Sequence, residues 1–134
     1  MPIKVLVVED DPGIRHLIKM ELARRKYNVE LVEDAFFAKE YLEKTVPELV
    51  IMDIMMPGMS GIELAAWMRA QPSLKDVPVI QMSSLSDEVT LEDSVQAGVM
   101  DYIVKPMNFN VLDEKIKLAL TRAQRRKDSN GNEL

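Results

Sequence analysis

The feature that most constrains this chain is a fivefold alternation of short apolar runs with longer stretches whose apolar residues recur at helical spacing. Residues 3–8 form the first run, rich in β-branched side chains and broken only by Lys4, as a strand buried on both faces of a parallel sheet requires. Runs at 29–32, 49–52, 79–82 and 102–104 share that character. Between them, Pro12 can open a helix carrying Ile14, Leu17, Ile18 and Leu22 toward Arg24 and Arg25. Asp34 is placed to cap a helix bearing Phe37, Ala38, Tyr41 and Leu42, which Pro47 keeps from continuing. Ser60, with Glu63 three residues on, has the capping-box spacing ahead of Ile62, Leu64, Ala65 and Met68. A weaker helix is expected at 89–97, ending at Gly98, and a strongly amphipathic one from 111 to about 126. Strands alternating with helices in this way build βαβ units, hence a mostly parallel sheet with helices on both faces.

With 134 residues the chain is long enough to bury one sizeable core, and no internal stretch has linker composition. Only residues 128–133 read as tail or linker. A net charge of -5 argues against a nucleic-acid-binding surface, because neutralising phosphates takes clustered Lys and Arg. The absence of Cys excludes disulfides, thiolate metal sites and cysteine nucleophiles, and suits a reducing compartment. No apolar stretch is long enough to cross a bilayer, and the N-terminus is unlike a signal peptide, so the expected location is cytoplasmic with no membrane partner.

The chemistry sits where the apolar runs stop. Glu9, Asp10 and Asp11 follow the first, Asp53 the third, Ser83 and Ser84 the fourth, and Lys105 the fifth. In an open parallel sheet the carboxyl ends of the strands share one edge and ligands bind in the crevice there, so these distant residues are expected to converge. Carboxylates gathered in one crevice repel one another unless some protonate or a cation holds them charged. An all-oxygen, partly hydrated shell suits Mg2+ or Mn2+, with Asp10 and Asp53 as ligands and Glu9 acting through water. A carboxylate can also be a nucleophile, giving an aspartyl phosphate when metal and ammonium neutralise the incoming charge; Asp53 would accept the group, Lys105 supply the ammonium and Ser83 a hydroxyl donor. No general base is needed for such a step.

Several residues have plainer readings. Asp11 is suited to cap the helix that Pro12 opens. His16, without a second His or any Cys, reads as a helix-surface residue, and the ten methionines as gap-filling core and loop residues. The basic set Arg122, Arg125, Arg126 and Lys127 complements the negative end of the last helix, a lead into an output domain being the sharper alternative. Lys105 and Ser83 taken singly are ordinary surface residues, and Tyr102 can simply pack on the sheet edge; the constellation carries the chemistry.

The segments Val7-Val8-Glu9-Asp10-Asp11, Asp53-Ile54-Met55-Met56-Pro57-Gly58-Met59-Ser60-Gly61 and Val104-Lys105-Pro106, in this order and spacing, resemble the receiver domain of two-component response regulators, over residues 3 to about 122. The resemblance implies a flavodoxin-like, doubly wound (βα)5 three-layer sandwich of strand order 2-1-3-4-5. It implies a receiver domain over residues 1–124, followed at 125–134 by a helix end and a flexible tail or the start of a linker. It implies phosphorylation of Asp53 by a sensor histidine kinase or phosphotransfer protein, Mg2+ held by Asp10, Asp53 and the backbone carbonyl of Met55, and a cis bond before Pro106. On phosphorylation Ser83 would swing toward the phosphoryl group and Tyr102 would turn inward, changing the surface of the fourth helix and fifth strand. The implied output is a downstream effector protein, a further output domain, or a second copy of the chain.

Departures from the family pattern are informative. Ser83 replaces the commoner Thr, keeping the hydroxyl without the methyl. Glu92-Asp93-Ser94 and Met107-Asn108-Phe109-Asn110 differ from receivers of winged-helix transcription factors. Met55 and Leu85 are apolar at two positions that tune phosphoryl lifetime in the family, which implies slow self-dephosphorylation. Three other readings compete. A phosphatase of the haloacid dehalogenase type needs a second acid two residues after its nucleophile, where Met55 stands, so turnover of external phosphoesters is not expected. A flavin module would find its phosphate repelled by the acidic first loop. A docking module indifferent to phosphorylation would have no use for Asp10, Asp53, Ser83 and Lys105 together.

Overall fold

The β-branched and apolar runs become five strands, β1 (Lys4–Val8), β2 (Asn28–Val32), β3 (Leu49–Asp53), β4 (Val79–Ser83) and β5 (Asp101–Val104). The computed structural model describes residues 2–84 and 91–131. All four strand pairings are parallel and the order is β2-β1-β3-β4-β5, as the family resemblance implied. Between the strands run α1 (Pro12–Arg24), α2 (Ala35–Lys44), α3 (Gly61–Arg69), α4 (Leu91–Gln96) and α5 (Phe109–Gly131).

The period-two alternation of the central strands sorts the core into two sides. Leu6, Val8, Val50, Met52 and Val79 pack with Ala35, Ala38 and Leu42 of α2, Leu64, Ala65 and Met68 of α3, and Ala97 just after α4. Val5, Val7, Leu49, Ile51, Ile80 and Met82 pack with Ile18 and Leu22 of α1 and Leu112, Ile116 and Ala119 of α5. The result is the expected three-layer sandwich. Every residue of β3 is buried, so the acid that ends it is presented from the most enclosed strand.

The predicted helix starts hold. Asp11 accepts from the Ile14 N–H at 3.0 Å, Asp34 from that of Phe37 at 3.0 Å, and Ser60 Oγ from that of Glu63 at 3.2 Å. Gly98 adopts a positive φ of 81° just past α4, a conformation few other residues reach without strain. Two helical expectations shift. Leu17, expected inward, is 47% exposed, because the buried stripe of α1 runs through Ile14, Ile18 and Leu22 at four-residue spacing and leaves Leu17 on its flank. Phe37 is likewise exposed and stacks edge-to-face on Phe36. The helix expected from 111 starts earlier because the Asn108 side chain caps it, accepting from the Asn110 and Val111 N–H groups. It also runs into the residues of linker composition, where Gln124 bonds Asp128 one turn on. The expected start of the fourth helix, Val89 and Thr90, and Leu85 lie outside the described residues.

One hydrogen bond beyond the ends of β1, β3 and β5 extends the ladder into the loops: Glu9 N–H to the Val32 carbonyl, Ile54 N–H to that of Met82, and Lys105 N–H to that of Ser83 at 2.7 Å. The sheet itself therefore fixes the residues that follow the apolar runs.

Candidate functional site

At the carboxyl edge of the sheet, the β1 end supplies Glu9 and Asp10, the β3 end Asp53 and the β5 end Lys105. Carboxylate oxygens of Glu9, Asp10 and Asp53 lie within 4.8 Å of one another. Lys105 Nζ donates to Asp53 Oδ2 at 2.6 Å and to the Glu9 carboxylate at 3.2 and 3.4 Å. The Met55 backbone N–H donates to Asp53 Oδ1 at 3.2 Å. Asp53 thus has both oxygens engaged, while Asp10 stands exposed at the mouth and Glu9 is only 1% exposed.

These acids are too close to be comfortable. Burial pushes the Glu9 carboxyl up to about 8, and its proximity to Asp53 adds to the shift against the opposing pull of Lys105. Burial also works against the Lys105 ammonium, but its bonds to Asp53 and Glu9 outweigh that and hold its pKa above the ordinary lysine value. One ammonium therefore does not balance the acids by itself. An all-oxygen donor set short of positive charge, buried on one side and open at Asp10, fits a hard divalent cation.

The structure thus gathers Glu9, Asp10, Asp53 and Lys105. Ser83 lies on the neighbouring strand end, where its hydroxyl donates to the Ser84 carbonyl at 3.1 Å. The Met55 side chain is exposed in the loop after β3. The Lys105–Pro106 bond is cis, as the resemblance implied. Tyr102 points outward from β5, with Lys115 Nζ 5.8 Å from its ring centroid. Asp11 serves as the α1 cap and His16 lies on the helix surface, both as expected.

Two contributors escaped sequence reasoning. Arg15, one turn into α1, donates to the Glu9 carbonyl at 3.0 Å and more weakly to that of Asp10, clasping the loop that carries both acids. Nothing in the local pattern marks a helical arginine for that task. Gly61 begins α3 with its N–H on the Ile54 carbonyl at 2.8 Å, and a Cβ there would sit 2.2 Å from the Asp53 carbonyl oxygen. Only glycine lets α3 approach the strand end this closely; the visible signal was its place in the Ser60-Gly61 pair.

Residues 5–117 match the model of the response regulator receiver domain. The regulatory protein VanRB of Enterococcus faecalis is 35% identical over 123 residues, covering 92% of this chain and 54% of that protein. The chain spans about half the length of the curated relatives it matches. Among solved structures, the receiver domain of a signal transduction histidine kinase from Syntrophus aciditrophicus is 35% identical with a TM-score of 0.83, covering 91% of this chain and 92% of that one. The receiver domain of the sensor histidine kinase PA1611 from Pseudomonas aeruginosa, 27% identical with a TM-score of 0.83 and covering 90% and 99%, holds a magnesium ion in its active-site cleft.

Proposed function

This chain belongs to the response regulator receiver domain family, the phosphorylation-activated receivers of two-component signalling, and we propose that Asp53 is its phosphoacceptor. The observation that carries this is the three-way contact of Asp53, Glu9 and Lys105 at the carboxyl edge of the sheet. An Asp53 carboxylate oxygen attacks phosphorus, the new O–P bond forms as the bond from phosphorus to the donor imidazole or acyl oxygen breaks, and the leaving atom keeps the electron pair. Lys105 neutralises charge on the transferring group, and its 2.6 Å bond to Asp53 sets that charge beside the nucleophile. Ser83 supplies a hydroxyl to the new phosphoryl oxygens after releasing the Ser84 carbonyl. Asp10, Asp53 and the Met55 carbonyl would hold Mg2+ or Mn2+, with Glu9 acting through water, and the ion would supply charge neutralisation and alignment for the transfer.

The domain assists its own phosphorylation and dephosphorylation and does not turn over external phosphoesters, since Met55 stands where a leaving-group acid would be needed. The phosphodonor is a sensor histidine kinase or a phosphotransfer protein. The output is a change of protein contacts, in which Tyr102 turns inward and the surface of α4 and β5 is altered, read by an effector, an output domain or a second copy. The receiver unit covers residues 1–124 and works in the cytoplasm; no described helix is long and apolar enough to cross a membrane.

Intact mass after incubation with acetyl phosphate and Mg2+ tests this. A single phosphoryl adduct is expected on the parent and none on Asp53→Asn or in the presence of a chelator. An adduct of equal yield on Asp53→Asn would refute the assignment.

A further inference from the structure

Gln81 is a polar residue with no solvent exposure in the middle of β4. Its Oε1 accepts a 3.1 Å hydrogen bond from Oγ of Ser94 on α4, a hydroxyl that is itself buried. Its Nε2 is buried with no partner among the described residues. A half-satisfied buried amide is worse than an apolar side chain of the same size, so packing alone would favour methionine or leucine here. A role beyond packing is needed to account for a polar pair at this place.

The placement supplies one. Strand alternation puts Gln81 on the same face of β4 as Ser83, two residues nearer the site, and that face is the one covered by α3 and α4. Ser94 is held at two points, by its side chain to Gln81 and by its carbonyl, which accepts from the Val99 N–H at 3.0 Å. Just beyond, the Gly98 carbonyl accepts from Arg69 Nε and Nη2 at 3.2 and 3.0 Å, which anchors the end of this segment to α3. The six-residue α4 is thus pinned behind by Arg69 and tied to β4 through Ser94.

We propose that Gln81 and Ser94 are positioning residues of the switch, relaying displacement of Ser83 to α4 through their hydrogen bond. The inference rests on Asp53 being the phosphoacceptor. The unpartnered Nε2 lets the pair exchange into a second arrangement in which that donor is satisfied, giving the two discrete states a relay requires.

The test follows backbone amide resonances of the whole chain with and without beryllofluoride and Mg2+, which together mimic the acyl phosphate. The parent should show shifts both around Asp53 and at residues 93–98. The double variant Gln81→Met with Ser94→Ala, which removes all three polar groups at once, should take up phosphoryl groups from acetyl phosphate as the parent does and keep the shifts around Asp53, but lose at least half of the shift at 93–98. Ser94→Thr, which keeps the hydroxyl, should restore the response. Full shifts at 93–98 in the double variant would overturn the relay while leaving Asp53 intact, and so would a Ser94→Thr response no larger than that of the double variant. A parent that shows no change around Asp53 would instead refute the phosphoacceptor reading, and the relay with it.

Discussion

Asp53 shares its crevice with other acids, and the positive charge set against them is Lys105, 2.6 Å from the carboxylate that is to attack phosphorus. Replacing Lys105 with Gln keeps a polar side chain but removes the charge that the transferring group needs. By analogy with loss of one preorganised donor, phosphorylation by acetyl phosphate should slow by about 10²-fold, measured as adduct formation against time. Gly61 is constrained from the opposite direction, by space. Gly61→Ala would press a methyl group into the Asp53 carbonyl, so α3 must shift; urea denaturation should show a loss of about 1–3 kcal/mol, the usual cost of overpacking. These two residues also mark what a sequence can disclose. Lys105 was legible because it follows an apolar run beside a proline, and strand ends in such folds converge. Arg15 was not, since its partners are main-chain carbonyls that carry no residue identity.

Elements contribute stability through their ends and their seams. Ser60→Ala removes the acceptor for the Glu63 N–H and should cost about 1 kcal/mol by chemical denaturation. Where α1 gives way to β2, the Tyr27 hydroxyl donates to Asp113, tying the α1–β2 connection to α5. Burial pushes the Asp113 carboxyl up, but Tyr27, Lys117 and Arg25 outweigh it and hold it below the ordinary value of 3.8. An acid with a lower pKa folded than unfolded binds fewer protons when folded, so its contribution is complete above the unfolded value and is lost as pH falls through the folded one. Tyr27→Phe should therefore lower stability by about 1–2 kcal/mol at neutral pH, and the gap to the parent should narrow below a pH near 3.8. Caps and apolar periods made most of these elements readable in advance. The flank position of Leu17 and the early start of α5 were not, because the first depends on which stripe the sheet covers and the second on a side-chain cap at Asn108 inside a stretch that reads as loop.

On the scale of the molecule, the parallel sheet brings residues separated by 96 positions, Glu9 and Lys105, into one salt bridge. That convergence was legible because alternating strands and helices leave little choice of topology, and the resemblance to the receiver family implied the strand order. The Gln81–Ser94 pair was not legible, since a glutamine inside an apolar run shows neither its depth nor its partner until α4 is in place. The apolar, exposed Met55 beside the site is poorly suited to orient a hydrolytic water. The phosphorylated domain should accordingly lose its label over minutes or longer in Mg2+, followed by intact mass; decay within seconds would contradict that reading. The central claim, that one carboxylate in this crevice takes the phosphoryl group, is tested most directly by reducing the phosphorylated chain with borohydride and sequencing its peptides by mass spectrometry. An acyl phosphate at Asp53 predicts conversion of that residue alone to homoserine, whereas conversion of Asp10 or Glu9, or a phosphoryl group on a side chain that borohydride leaves unchanged, would contradict it.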